Sequence, residues 1–155
     1  MTIRHGAASA VPGNADLRPA IRVALTREAG TGADAKAVAA AAQRVYDALA
    51  SELAVLIGDG GVRALTTRSL HLVQREFPWL AERQELDRAD GPFAQAGVRL
   101  ERQDAAIAME AAAATMATLR ALLAALIGEP LTIGIFRAAW PSASMDETRQ
   151  ETPER

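Results

Sequence analysis

Arg68, His71 and Arg75 are spaced at i, i+3 and i+7, so a helix would carry all three on one face. Two guanidiniums flanking an imidazole could hold a small ligand or an anion. His71 is also the one histidine outside the N-terminal segment that contains His5. An exposed imidazole on a bundle helix could accept a phosphoryl group as well. Phosphotransfer domains usually follow such a histidine with a lysine and a small residue, and here Gln74 and Arg75 stand in that region. Kinase dimerisation helices place an acidic residue directly after it, where this chain has Leu72. Ligand or anion binding at Arg68, His71 and Arg75 is one expectation, and phosphotransfer through His71 a further one.

Elsewhere the reactive residue types lack the spacing that chemistry needs. Glu82 and Glu85, and Glu101 and Asp104, stand three apart on helical runs and read as solvated surface. No Glu-x-x-His element is present, so a di-metal bundle site is not supported and no metal or cofactor is expected. A haem on His71 would need an apolar pocket around the ring. The chain has no cysteine, which excludes disulfides, thiolate catalysis and Cys-ligated zinc. Gly58-Asp59-Gly60-Gly61 follows a helix rather than a strand, the wrong context for a nucleotide loop. The serines have neither a nucleophile elbow nor a histidine partner.

Aromatic residues mark a different kind of site. Phe77-Pro78-Trp79-Leu80 is the densest apolar cluster outside the helical stripes, and Trp140-Pro141 repeats the aromatic-proline pair. Tryptophan serves both at interface hot spots and as a plug at the end of a bundle. Phe77, Trp79 and Trp140 are therefore the candidate contacts for a partner.

Composition points to helices as the scaffold. Alanine makes up roughly a quarter of the chain, while aromatics are only 4%. Ordering alanine costs no side-chain entropy, so it favours helices that approach closely and disfavours a sheet. With 50% of its residues apolar, a 155-residue chain can build one real core. The net charge of −2 lacks the surplus that phosphate binding needs, so no nucleic-acid partner is expected. Lys36 is the only lysine, and the surplus of Arg, Ala and Gly suits a GC-rich, bacterial coding bias. Residues 1–13 lack the apolar core of a secretory signal, which fits a cytoplasmic location. The most apolar stretch, 105–127, carries Glu110 and Arg120 and reads as a buried helix rather than a membrane span.

Periodicity then sets the elements. Residues 1–32 read as a flexible arm, with a short helix at 16–28 or a weak strand where Ile21, Val23 and Leu25 alternate with other residues. Asp34 can cap a helix running to Ile57 and stopped by Gly58. A second helix follows over 62–77, ended by Pro78, with a short charged helix over 79–89. The longest helix is predicted over 98–127, stopped by Gly128, and a last one runs from Glu129 to Trp140. The polar tail 142–155 reads as disordered, leaving one all-α domain over 33–141.

Within that pattern the chain echoes itself. Leu53-Ala54-Val55-Leu56-Ile57-Gly58 returns as Leu123-Ala124-Ala125-Leu126-Ile127-Gly128. Each copy leads into a shorter helix and an aromatic-proline stop, so the predicted fold is a bundle of four to six helices built from two long-short hairpins. The functional expectation is a non-enzymatic interaction or regulatory module, acting as a homodimer or through a protein partner.

Overall fold

The computed structural model describes residues 12–81 and 91–141, and these form five α-helices with no strand. They are α1 (Pro12–Ala29), α2 (Ala35–Val73), α3 (Pro92–Leu100), α4 (Ala105–Ile127) and α5 (Glu129–Ala139). A short 3-10 turn, Pro78–Ala81, follows α2. The fold is the expected all-α helical bundle.

At its centre lies α4, in which every residue from Ala111 to Arg120 is buried. Three turns buried on all sides need small side chains wherever another helix approaches, and Ala111, Ala112, Ala113, Ala114 and Ala117 supply them. Among the described residues α4 is also the one helix long and apolar enough to cross a bilayer. Here it is the inner helix of the bundle, flanked by α1, α2 and α5.

The predicted helix over 98–127 is in fact two helices. Asp104 breaks it, adopting an extended conformation and accepting the Ala106 N–H at 3.0 Å. That bond satisfies an orphan amide at the start of α4 and commits Asp104 to capping, so it does not share a helix face with Glu101. Asp34 does the same for α2, accepting the Ala37 N–H at 2.9 Å.

These two caps extend the echo into a full structural repeat. Asp34 and Asp104 lie 70 residues apart, as do Gly58 and Gly128. The helical stretch 35–57 therefore matches the 23 residues of α4 position for position. Gly58 (φ 78, ψ 164) and Gly128 (φ 95, ψ 156) adopt nearly the same backbone, a region that is essentially glycine-only. Neither glycine ends its half of the fold; each turns the chain sharply into a shorter helix, 59–73 in the first half and α5 in the second. Burial follows the same register: Leu49 with Leu119, Leu53 with Leu123, Val62 with Thr132, Thr66 with Phe136 and Leu70 with Trp140 are all buried pairs.

The halves interlock through their leading helices. The first half's α1 packs along α4, and the second half's α3 packs along α2, whereas α1 on α2 and α3 on α4 touch less. In the second pairing Phe93 stacks on Tyr46 at 4.3 Å, and Gly97 faces Gln43, so α3 runs opposite to α2. In the first, Arg22 donates to Glu110 at 2.7 Å.

The role of α1 corrects the flexible arm drawn for residues 1–32, so far as those residues are described. Ile21, Ala24 and Leu25 are buried against the core while Val23 is exposed, a helical stripe where the sequence also permitted a strand. Pro12 sits in the first turn, where its missing N–H costs nothing, and Pro19 is accommodated inside the helix. One further boundary shifts: the helix after Gly58 ends at Val73, ahead of Pro78. Of the predicted helix over 79–89 the described part lies in the 3-10 turn Pro78–Ala81. The rest of that stretch and the tail 142–155 lie outside the described residues.

Replacing either corner glycine by alanine forces a Cβ into this backbone region. Gly58→Ala and Gly128→Ala should each lower unfolding free energy by about 1–3 kcal/mol in urea titrations. Gly60→Ala, at an ordinary helical position with open space around it, should instead be neutral or stabilise by up to about 1 kcal/mol.

Candidate functional site

The stretch 59–73 presents its apolar stripe inward through Val62, Thr66, Ser69, Leu70 and Val73. Its opposite side is therefore solvent-facing, and Arg63, Ala64, Thr67, Arg68 and His71 are all exposed there. Arg75 lies in the turn that continues this helix, with its N–H donating to the Leu72 carbonyl at 3.3 Å, and it is exposed as well. At 100° per residue, Arg63, Arg68, His71 and Arg75 fall within an arc of about 140°. The structure thus places Arg68, His71 and Arg75 on one face, as their spacing predicts, and adds Arg63 to them.

No carboxylate lies on that arc. Glu76 points away, its two oxygens accepting both terminal nitrogens of Arg18 at 2.9 and 3.0 Å. Other arginines are similarly engaged: Arg22 with Glu110, Arg44 with Glu28, and the largely buried Arg120 with Glu129 at 3.4 Å. Arg63, Arg68 and Arg75 form no ion pair with a described residue. His71 is exposed on the same face, so a phosphoryl donor could reach its ring, but among the residues of that helical arc there is no acidic side chain or lysine. Among the described residues no three His, Cys, Asp or Glu side chains are grouped to hold a metal.

A second class of surface feature surrounds the two glycine corners. Val55 is 85% exposed and Leu56 50%, just before Gly58. Leu126 is 61% exposed and Leu131 51%, on either side of Gly128. Leu56 and Leu126 are repeat partners, and so are the exposed acids Asp59 and Glu129, which follow the glycines at the starts of the shorter helices. A negative charge is favoured there by the helix dipole. These corner residues were not among the candidate contacts read from the sequence, because Val55 and Leu56 lie in an unbroken apolar run that conceals which members face outward.

The aromatic candidates turn mostly inward. Trp140 is 2% exposed and belongs to the core, so in this fold its ring offers no contact surface. Its buried indole N–H has no acceptor among the described residues. Phe77 and Trp79 meet edge to face at 6.0 Å and are partly buried against the core. They form a plug beside the 3-10 turn, with Leu80 buried next to them.

The corners are held by different chemistry in the two halves. In the first, Thr66 Oγ1 donates to the Val62 carbonyl at 2.8 Å, so the Tyr46 hydroxyl donates to Thr66 Oγ1 at 2.7 Å. That bond ties the two arms of α2 together across the corner. In the second, the repeat partners of these residues are Met116 and Phe136, and the Arg120 guanidinium lies 5.7 Å from the Phe136 ring centre. No family model, curated protein or solved structure matches this chain.

Burial raises the Tyr46 phenol above its ordinary pKa, an effect only partly offset by the bond to Thr66. The folded chain therefore holds that proton more tightly than the unfolded chain does. This stabilisation is complete below the unfolded value of about 10 and is lost as pH climbs through the raised folded value. Tyr46→Phe keeps the stack on Phe93 but removes the bond, and should cost about 0.5–1.5 kcal/mol at neutral pH. Denaturation curves should also show a smaller loss of stability above pH 10 in the variant than in the parent.

Proposed function

We propose that this chain is a non-enzymatic helical interaction module that associates with further copies of itself through its two glycine corners. The observation that carries this reading is the pair of repeat-related corners, each holding large apolar side chains out into water on a turn that glycine alone can make. Apolar area held in water on a fixed support is stabilised by any contact that covers it. The corners are internal copies of one another, so the same kind of contact can form at either of them between two molecules. Burying the exposed parts of Val55, Leu56, Leu126 and Leu131 contributes on the order of 4–7 kcal/mol before the cost of association, which places the contact in the weak, reversible range.

Charge gives this reading a sign. Asp59 flanks the first corner without an ion pair to a described residue, while Glu129 at the second meets Arg120, so two first corners that meet bring like charges together, and added salt screens that repulsion. Light scattering after size exclusion should therefore give a mass above 16.4 kDa that rises with protein concentration. Raising salt from about 50 to about 500 mM should strengthen the association. A variant with serine at Val55, Leu56, Leu126 and Leu131 should weaken it about tenfold or more. A constant mass of 16.4 kDa at millimolar concentration would contradict self-association.

A further inference from the structure

We infer that the outer face of α2 beyond Gly58 is a second docking surface, and that its partner is an acidic helical segment of another protein. Arg63, Arg68 and Arg75 stand exposed on one arc with His71 among them and no carboxylate between. Among the described residues Arg18, Arg22, Arg44 and Arg120 each meet a glutamate, and the exposed Lys36, Arg102 and Arg137 stand one each on three other segments. Three exposed arginines without an ion pair to a described residue thus share one short helical face, where they complement a partner of opposite sign.

The spacing of those charges selects the kind of anion. Arg63 and Arg75 are about 18 Å apart along the axis, so the face offers roughly one cation per 9 Å if only the arginines are counted. Duplex nucleic acid carries about one charge per 1.7 Å, and a useful phosphate grip takes about six to ten contacts, so this face is too sparse for it. A single small anion would draw the two ends of so long a row together. Carboxylates one or two turns apart on a facing helix match the row without distorting it. Thr67 and Ala64, between the arginines, are small enough to let such a helix lie close.

This surface is independent of the corners, and its salt dependence has the opposite sign. The test is fluorescence anisotropy with a labelled helical peptide carrying glutamates at every third and fourth position, and with a DNA duplex of equal charge. The peptide should bind the parent chain and weaken about tenfold between 50 and 200 mM salt. The variant R63E/R68E/R75E should lose at least about tenfold in affinity, and R63K/R68K/R75K should retain it. K36E/R102E/R137E, which changes exposed cations elsewhere by the same amount, should bind within about twofold of the parent. Circular dichroism checks that each variant is folded, and the lysine variant keeps the test decisive if charge reversal disturbs the helix. Absence of peptide binding, equal loss in the control variant, or tighter binding of the duplex would each overturn the proposal.

Discussion

A helix enclosed on every side has no outward face on which to place bulky or charged residues, and the whole bundle is arranged around that condition in α4. Ten successive buried residues leave room only if most of them are small, and alanine meets the requirement while keeping the helix intrinsically stable. Its polar members obey the same condition. Thr115 returns its hydroxyl to the Ala111 carbonyl at 2.8 Å, and Arg120 runs along the Phe136 ring to reach Glu129. Any change that adds volume here must move α1, α2 or α5.

Interlocking follows from the same geometry. A long helix that must be covered can take its cover from the other half, and both long helices do so: α1 covers α4, and α3 covers α2. The result is two copies of one plan, namely leading helix, capped long helix, glycine corner and shorter helix. The copies diverge where packing allows it. A tyrosine–threonine hydrogen bond braces one corner, while a buried arginine on a phenylalanine ring braces the other. Glycine is retained at both because the backbone there excludes a side chain.

Much of this was legible in the residues. Helical class, the long stretch 35–57, both glycine turns and the echo between them follow from spacing and from the residues at the ends. The helical face carrying Arg68, His71 and Arg75 follows as well. Four features did not. Leading helix α1 was obscured by two prolines and by an alternation of Ile21, Val23 and Leu25 that fits a strand locally; only packing on α4 decides for the helix. The break at Asp104 was hidden because residues 98–100 and 105–107 continue one apolar pattern, and its cap is visible only once the extended backbone at that position is known. Trp140 could be a plug or a contact on residue type alone, and burial puts it in the core. The exposed corners were missed for a related reason: an apolar run shows its direction only when its neighbours are in place.

The association proposed for the glycine corners uses surface that the interlocked halves leave uncovered, so it depends on the interlocking itself. Amide hydrogen exchange measures that dependence directly. If α1 is an integral cover for α4, the amides of residues 21–29 should be strongly protected and should open together with those of residues 111–120. Exchange of residues 21–29 at the rate of an unstructured chain, with α4 still protected, would contradict the account.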